Sequence, residues 1–383
     1  MSESVRPRAL FFIPEDWYLC THRLPLLRGA RAMGFDVTAV TRVRDHAGPI
    51  LEAGAALEPI RLRRGYRGLV HEIKGLWQLI KVYRRIRPDL VHHVTPKCVI
   101  YGTLAARLAG VSCVVNAMAG LGFVYTSQSK KAKLLSPIFT STLRVLLRGY
   151  GTKLIVQNDD DVAFFRDHIG VPGPSIELIR GAGVDTAHFH PPEQEPEGPL
   201  RVVLVARMLG DKGIFETVEA ARLLKTRGRT DIHIILTGRV DTENPAGIPR
   251  KDLQAWHDAG IIEFTGHVED VPALLRTCHV ALLPSYREGL PKSLLEAAAC
   301  GLPIVATDVT GCREICLDGV NGILVPPRRA APIADALEAL ADDPERRRRL
   351  GRGSRELAVR DFDEAIVTKR TMAVYRELME ARR

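Results

Sequence analysis

The chain has 383 residues, of which 46% are hydrophobic and 26% are charged, a composition typical of a folded globular protein and too long for one ordinary core. No apolar run approaches the ~20 residues that a membrane-spanning helix needs, which excludes an integral membrane protein of that kind. The net charge of +9 is uneven, since residues 1–190 hold 26 Lys and Arg against 15 Asp and Glu, whereas the remaining residues hold 28 against 30. The first half therefore favours an anionic neighbour.

The start of the chain and its cysteines both indicate the cytoplasm. The first eight residues are mostly polar, and the apolar run at residues 10–13 is too short for the core of a signal peptide. Seven cysteines are scattered without a CxxC pair, so we expect reduced, packed thiols rather than disulfides or a zinc site. No metal or other cofactor is expected.

The first half alternates short apolar runs with helical patterns. Strands are predicted at residues 9–13, 36–41, 90–94, 111–116 and 154–157. These runs are apolar throughout, as in strands covered on both faces, so they predict a parallel sheet. Residues 69–85 form one of the intervening amphipathic helices, with Val70, Ile73 and Trp77 on its apolar face and Lys74 and Lys81 largely off it.

A proline-rich linker at residues 191–199 separates the two halves, and the strand and helix pattern then restarts. Six further strands are predicted at residues 201–206, 232–237, 261–264, 280–283, 303–306 and 323–325. The predicted fold class is α/β, with two Rossmann-like, doubly wound parallel-sheet domains at residues 1–188 and 196–360. Residues 361–383 are predicted to form a final helix that crosses back onto the first domain.

One group of candidate residues follows a buried strand of the second domain and leads into a helix. This segment, Glu288-Gly289-Leu290-Pro291, stands where open α/β sheets bind ligands. Free N–H groups at Gly289 and Leu290 would point at an anion. Glu296, roughly 1.5 turns along the helix, could accept hydrogen bonds from the two hydroxyls of a ribose. The alternative interpretation of Glu288 and Glu296 is two solvated surface carboxylates.

A second candidate loop follows the first strand of the same domain and carries two cations. Arg207 and Lys212 would stand at the carboxyl end of that strand, with Gly210 and Gly213 keeping the loop tight. A forked guanidinium and a point-charge ammonium together suit a diphosphate. The alternative is a solvated basic loop.

These two loops belong to an ordered series of short motifs. The others are Leu236-Thr237-Gly238, Phe264-Thr265-Gly266-His267-Val268, Val280-Ala281-Leu282-Leu283-Pro284-Ser285, Gly301-Leu302-Pro303-Ile304-Val305-Ala306-Thr307 and Asn321-Gly322-Ile323-Leu324-Val325-Pro326. The set resembles the family 4 retaining glycosyltransferases of GT-B fold. The resemblance is dense over residues 200–330 and looser over the first half.

The resemblance implies that the second domain binds a nucleotide-sugar donor, the first binds the acceptor, and the reaction takes place in the cleft between them. Arg207 and Lys212 would hold the donor diphosphate and stabilise the leaving group without a metal, with Glu288 near the donor sugar. The implied catalytic residues are Arg207, Lys212 and Glu288, and the implied donor-binding residues are Glu296, Gly289, Leu290, Pro291, Gly266, His267 and Val268.

The first half departs from the commonest family pattern at two places. A Gly-Gly loop is common after the first strand, but residues 14–18 read Pro-Glu-Asp-Trp-Tyr. A histidine is common after the strand at residues 111–116, where this chain has none. Asn116 or the backbone of residues 120–123, Gly120 included, could fill that role. His93, which lies in the predicted strand at residues 90–94, could also line the cleft, or it could be a core or capping histidine. Residues 119–131 resemble the bacterial branch that builds polysaccharide repeat units on polyprenyl diphosphate carriers.

Three interpretations of the basic first half stay open. Residues 61–153 hold 17 Lys and Arg against 2 acidic residues, and residues 69–87 and 130–148 mix basic with apolar side chains, as interfacial helices do. An anionic membrane surface is therefore one expected partner, although the apolar faces could instead pack on the sheet. Nucleic acid is not expected because no recognition motif is present. The third interpretation is solubility alone.

The sequence thus predicts a retaining, metal-independent hexosyl- or N-acetylhexosaminyltransferase. Its donor is expected to be a nucleoside-diphosphate sugar, with a UDP-sugar favoured, and its acceptor a polyprenyl-diphosphate-linked saccharide at the inner face of the membrane. The alternatives are an enzyme with a soluble acceptor, similar to glycogen or sucrose synthases, and a non-catalytic nucleotide-sugar-binding protein. An NAD-binding enzyme is disfavoured because no G-x-G-x-x-G follows a strand near either domain's start.

Overall fold

The computed structural model describes residues 6–62, 68–118, 130–148, 151–242, 244 and 246–382. The chain divides into two compact units, the first comprising Met1–Ala182 with Ala365–Arg383 and the second Gly183–Glu364. Each unit has its own parallel sheet. Within the described ranges, no helix is both long enough and apolar enough to cross a bilayer. All seven cysteines are unpaired thiols, as expected.

The first unit is built on seven strands, all parallel to their neighbours. They are β1 (Arg8–Glu15), β2 (Asp36–Arg42), β3 (Ala56–Pro59), β4 (Leu90–Val94), β5 (Cys113–Ala117), β6 (Thr152–Val156) and β7 (Ile176–Leu178). Their order in the sheet is β3-β2-β1-β4-β5-β6-β7. Every residue of β4, β5 and β6 is buried, which confirms a sheet covered on both faces.

Helices cover both faces of this first sheet. They are α1 (Asp16–His22), α2 (Leu24–Ala32), α3 (Ala47–Glu52), α4 (Leu69–Ile86), α5 (Pro96–Ala109), α6 (Lys130–Leu147) and α7 (Asp159–Ala163), followed by a π-helical turn (Phe164–Ile169) and a 3₁₀ turn (Gly173–Ser175). One core cluster contains Phe11, Ile13 and Leu27, and a second contains Phe12, Leu79 and Tyr83. Because Phe11 and Phe12 alternate along β1, the two clusters lie on opposite faces of the sheet.

α4 does not pack all of its apolar residues on the sheet. Glu72, Gly75, Leu79 and Tyr83 are buried. The buried Glu72 carboxylate forms an ion pair with the ammonium of Lys97 at 2.8 Å, which compensates its charge. In contrast, four apolar side chains of the same helix are largely exposed: Leu69 (66%), Val70 (67%), Ile73 (46%) and Trp77 (56%). The interpretation that this apolar face packs on the sheet is therefore wrong for Val70, Ile73 and Trp77.

The second unit repeats the architecture with six parallel strands. They are β8 (Leu200–Val205), β9 (Ile232–Thr237), β10 (Glu263–Gly266), β11 (Val280–Leu283), β12 (Ile304–Thr307) and β13 (Gly322–Val325), in the order β10-β9-β8-β11-β12-β13. The helical elements are a 3₁₀ turn (Gly210–Lys212), α8 (Ile214–Thr226), α9 (Arg250–Asp258), α10 (Val271–Arg276), α11 (Lys292–Ala299), α12 (Thr310–Arg313), α13 (Ala330–Asp342) and α14 (Pro344–Asp361).

The last helix, α15 (Glu364–Ala381), packs on the first unit. Its Tyr375 is fully buried, lies beside Phe11 and hydrogen-bonds through its hydroxyl to Nδ1 of His92. Glu377 pairs with Lys153 at 2.7 Å. The first strand and the last helix thus contribute to the same core.

Candidate functional site

The first loop of the site follows β8 and carries Arg207 and Lys212. After an extended stretch, the 3₁₀ turn Gly210–Lys212 ends at Gly213, whose φ is +74°. A Cβ on Gly213 would lie 2.2 Å from the carbonyl oxygen of Pro284. Only glycine therefore lets this loop touch the loop that follows β11.

This close approach ties the two loops together. The carbonyl oxygen of Asp211 accepts hydrogen bonds from the N–H of Tyr286 at 2.9 Å and from the hydroxyl of Ser285 at 3.1 Å. As a result, Nζ of Lys212 lies 2.5 Å from Oε1 of Glu288. The two side chains are only 19% and 11% exposed. Two residues that the sequence places on different loops thus form one ion pair.

The segment from Glu288 to Pro291 supplies backbone donors beside this pair. Gly311 packs against it so closely that a Cβ there would lie 2.5 Å from the carbonyl oxygen of Gly289. Pro291 then caps the start of α11. Among the described residues, the N–H groups of Gly289 and Leu290 find no acceptor. They remain available to an anion at the start of this helix.

Glu296 lies on α11 and is half-buried, and its carboxyl group has no hydrogen-bond partner in the described part of the chain. Burial disfavours its charged form and raises its pKa to about 7, although the ammonium of Lys292 one turn earlier acts in the opposite direction. The carboxyl group therefore titrates near neutrality. A ligand that donates hydrogen bonds to it would favour the ionised form.

The ends of β9 and β10 join the same edge of the sheet. The N–H of Gly238 donates to the carbonyl oxygen of Gly266 at 2.8 Å, and a Cβ on Gly238 would lie 1.7 Å from the carbonyl oxygen of Ala206. His267 is exposed and contacts Arg239 through Nε2 at 3.1 Å, whereas the next residue, Val268, is half-buried. The residues predicted for the donor thus follow the carboxyl ends of β10, β8 and β11, and the end of β9 lies between those of β10 and β8.

Arg207 has a partner that the sequence did not indicate. Its guanidinium donates to Oδ2 of Asp241 at 2.8 Å, and the two side chains are 39% and 24% exposed. Among the described residues this is the only acceptor of the Arg207 guanidinium, so most of its N–H groups are unused. Asp241 stands four residues after β9, where no motif singles it out.

Two family models together match most of the chain. The model described as glycosyl transferases group 1 matches residues 185–357, and the model described as glycosyl transferase 4-like matches residues 8–158. The putative glycosyltransferase EpsD of Bacillus subtilis is 30% identical, over 97% of this chain and 97% of EpsD. The chain belongs to the group 1, GT4-like glycosyltransferases.

One further sequence relative and two solved structures are similar to this glycosyltransferase. The N,N'-diacetylbacillosaminyl-diphospho-undecaprenol alpha-1,3-N-acetylgalactosaminyltransferase of Campylobacter jejuni is 26% identical over 92% of this chain and 94% of that enzyme. Sucrose-phosphate synthase from Thermosynechococcus elongatus superposes with a TM-score of 0.80 at 20% identity, covering 98% and 100% of the two chains. Anabaena HepE in complex with UDP superposes with a TM-score of 0.78 at 15% identity, covering 97% and 100%. The fold is therefore GT-B, as the motifs predicted.

A second interaction that the sequence did not indicate supports the Glu288 loop of the glycosyltransferase. The hydroxyl of Tyr286 donates to Oε1 of Glu216 at 2.6 Å, and the guanidinium of Arg328 lies 4.1 Å from the centre of the Tyr286 ring. Burial and the neighbouring Glu216 raise the pKa of Tyr286 to about 12, so its hydroxyl stays a donor. These contacts fix the loop between β11 and Glu288.

Two of the three candidate cleft residues, His93 and Asn116, lie in the core of the first unit. His93 and Asn116 are fully buried, and Nδ1 of His93 lies 2.7 Å from Oδ1 of Asn116. Nε2 of His93 contacts the hydroxyl of Tyr83 at 3.0 Å, and burial lowers the pKa of His93 to about 4. Neither side chain reaches a surface, and Nδ2 of Asn116 has no hydrogen-bond partner among the described residues. Gly120 lies outside the described residues.

A cavity of about 460 Å³ in the second unit is separate from this site. It is lined by the linker residues Pro191 and Pro196, by residues just before β11 and β12, and by arginines of α14 such as Arg347. It therefore lies at the amino ends of the strands, and none of the predicted donor residues lines it. In the described ranges, no group of three or more His, Cys, Asp or Glu side chains is arranged to hold a metal ion.

Proposed function

We propose that this glycosyltransferase moves a sugar, with retention of configuration, from a nucleoside-diphosphate sugar to a saccharide carried on a polyprenyl diphosphate. The donor is held by the second unit and the acceptor by the first. The observation that carries the donor assignment is the ion pair of Lys212 and Glu288. Beside it, at the start of α11, are two backbone N–H groups that have no acceptor among the described residues. A cation and free amides side by side are the groups that bind a diphosphate.

In this proposal Lys212 exchanges its carboxylate partner for phosphate oxygens when the donor binds. The freed Glu288 carboxylate then accepts hydrogen bonds from hydroxyls of the donor sugar. Arg207, with most of its N–H groups unused, adds a second charge-assisted contact to the diphosphate. Two cations oppose the negative charge that grows on the leaving phosphate.

Glu296 and the β10 loop are proposed to bind the nucleoside. The half-buried Glu296 carboxylate accepts hydrogen bonds from two ribose hydroxyls, which replaces the water that burial removed. Residues Gly266, His267 and Val268 contact the base. HepE, which shares the fold, binds UDP, so a UDP-sugar is the first donor to test.

The proposed chemical step retains the configuration of the donor sugar. The bond between the anomeric carbon and the phosphate oxygen breaks as the acceptor hydroxyl attacks the same face, and the hydroxyl proton passes to the leaving phosphate. Arg207 and Lys212 stabilise the nucleoside diphosphate that departs. Because these cations supply the charge, we expect turnover to persist in the presence of a chelator.

The lipid-linked acceptor is supported by the Campylobacter relative, whose name specifies a diphospho-undecaprenol-linked saccharide as its substrate. The basic first unit also suits an acceptor that bears a diphosphate at a membrane surface.

The test is a transfer assay with a panel of UDP-, GDP- and ADP-sugars and an undecaprenyl-diphosphate-linked saccharide as acceptor. We expect one nucleotide family to support transfer. NMR of the product should show a new glycosidic bond with the same anomeric configuration as the donor sugar. Lys251→Ala, which removes an exposed lysine of the same unit outside the site, should transfer the sugar as the wild type does. An inverted product, or transfer only to soluble glucans or hexose phosphates, would contradict the proposal.

A further inference from the structure

α4 exposes an apolar stripe, which consists of Leu69, Val70, Ile73 and Trp77. These side chains are 66%, 67%, 46% and 56% exposed. Val70, Ile73 and Trp77 are spaced by three and four residues, so they lie on one face of the helix. Among the side chains whose exposure the structure describes, no other helix has four large hydrophobic residues exposed to this extent. We call this set the α4 stripe.

The charges beside the α4 stripe are positive. Lys74, Lys81 and Arg84 are exposed on the same helix, and neither lysine has an ion-pair partner among the described residues. The single acidic residue of the helix, Glu72, is buried and pairs with Lys97 at 2.8 Å. An exposed face with apolar residues, a tryptophan and cations alone is the composition of a helix that lies in a lipid interface. An apolar groove on a partner protein would not select for the lysines.

The position of the stripe fits an acceptor confined to a bilayer. Lys97, the partner of Glu72, lies in the first turn of α5, directly after the carboxyl end of β4. The first turns of α4 therefore stand at the carboxyl edge of the first sheet. That edge is where open α/β sheets bind their ligands.

We propose that the α4 stripe docks this glycosyltransferase on an anionic membrane surface. Ile73 and Trp77 enter the boundary between headgroups and acyl chains, while Lys74 and Lys81 contact lipid phosphates. This inference deepens the proposed function and rests on its lipid-linked acceptor, because docking brings the enzyme to the surface where that acceptor is held.

The experiment is co-sedimentation of the full chain with vesicles of phosphatidylcholine alone or mixed with an equal amount of phosphatidylglycerol. Wild-type protein should bind the anionic vesicles, and Ile73→Gln/Trp77→Gln should weaken binding by at least about tenfold. Lys74→Gln and Lys81→Gln should each weaken it by roughly fivefold. The matched control is Val320→Gln, which removes an equally exposed apolar side chain (57%) from the second unit and should not change binding.

Two further measurements separate the possible outcomes. Brominated lipids should quench the fluorescence of wild-type protein more than that of Trp77→Phe, and UDP binding should be unchanged in the double variant. Equal vesicle binding by wild type and the double variant, or no binding by wild type while UDP still binds, would overturn the docking face without affecting the donor site. A wild-type dimer that becomes monomeric in the double variant would identify the stripe as a self-interface and also overturn the proposal.

Discussion

The ammonium of Lys212 and the carboxylate of Glu288 lie 2.5 Å apart, although 75 residues separate them in the chain. Each side chain is mostly shielded from water, so each keeps the other's charge compensated until a ligand arrives. In the proposed function the ion pair separates when the donor binds, and Lys212 then contacts phosphate oxygens while Glu288 accepts hydrogen bonds from sugar hydroxyls.

Replacing Lys212 with alanine should therefore reduce turnover about 100-fold or more, because a preorganised positive charge opposite the leaving group is lost. Glu288→Gln keeps the size of the side chain but removes the anion, and should reduce turnover while leaving UDP affinity within about threefold of wild type. Steady-state kinetics and circular dichroism on both variants check this. Wild-type turnover in folded Lys212→Ala would refute the role of the cation.

Arg207 and Asp241 allow a second test, since the structure shows that each is the other's partner. Arg207→Ala should lower kcat/KM for the donor by about 100-fold, and Arg207→Lys, which keeps the charge but loses the fork, by less. Asp241→Asn releases the guanidinium and should leave kcat/KM within about threefold of wild type. If Asp241→Asn lowered kcat/KM as much as Arg207→Ala, the Arg207 guanidinium would act by holding the loop through Asp241 and not by contacting the donor.

The pKa of Glu296, raised by burial to about 7, predicts a pH dependence with a defined sign. The folded chain holds a proton there that the unfolded chain releases, so the contribution to stability is fully present below the usual carboxyl pKa and is lost as the pH rises through about 7. Glu296→Gln should match the wild-type Tm near pH 4 and exceed it at about pH 8.

The same group predicts how nucleotide affinity varies with pH. Ribose hydroxyls donate to the ionised carboxylate, so UDP affinity should rise as the pH increases through about 7 and binding should release a proton. Calorimetry in buffers of different ionisation enthalpy measures that proton. No pH dependence in wild type, or the same dependence in Glu296→Gln, would exclude Glu296 as the ribose contact.

Gly213 tests whether the contact between the two loops matters. Gly213→Ala places a Cβ against the carbonyl of Pro284 and should lower the free energy of unfolding by about 2–4 kcal/mol and abolish turnover. Gly228 has nearly the same φ, +78°, but open space around it. Gly228→Ala should cost only about 1 kcal/mol and leave turnover unchanged. Similar costs in both variants would mean that backbone conformation, not the loop contact, is responsible.

The sequence predicted the central strands of both sheets because those strands are buried on both faces and read as continuous apolar runs. It missed β3 (Ala56–Pro59) and β7 (Ile176–Leu178), the edge strands of the first sheet. Both are short and half-exposed, and each carries a glutamate, so neither has an apolar run. Hydrogen bonding to a neighbouring strand, which a local pattern does not encode, defines them.

The site was predictable where short motifs mark it and not where side chains meet by packing. Arg207, Lys212 and Glu288 stand in recognisable loops at strand ends, and the fold brings Lys212 to Glu288. Asp241 stands in no such motif, so its pairing with Arg207 could not be read from the chain. His93 was a candidate for the cleft, but it is buried beside Asn116. The sequence could not decide, because a histidine near the end of a strand has the same local pattern in a cleft and in a core.

The most direct test of the donor site is isothermal titration of UDP into the purified full chain and into Lys212→Ala, with Lys251→Ala as the control. We predict micromolar binding to wild type and Lys251→Ala, and a loss of about tenfold or more in Lys212→Ala, because a charge-assisted contact to phosphate contributes that much. Equal affinity in all three proteins, or no binding of UDP, GDP or ADP to wild type, would contradict a nucleoside-diphosphate site at the ends of β8 and β11.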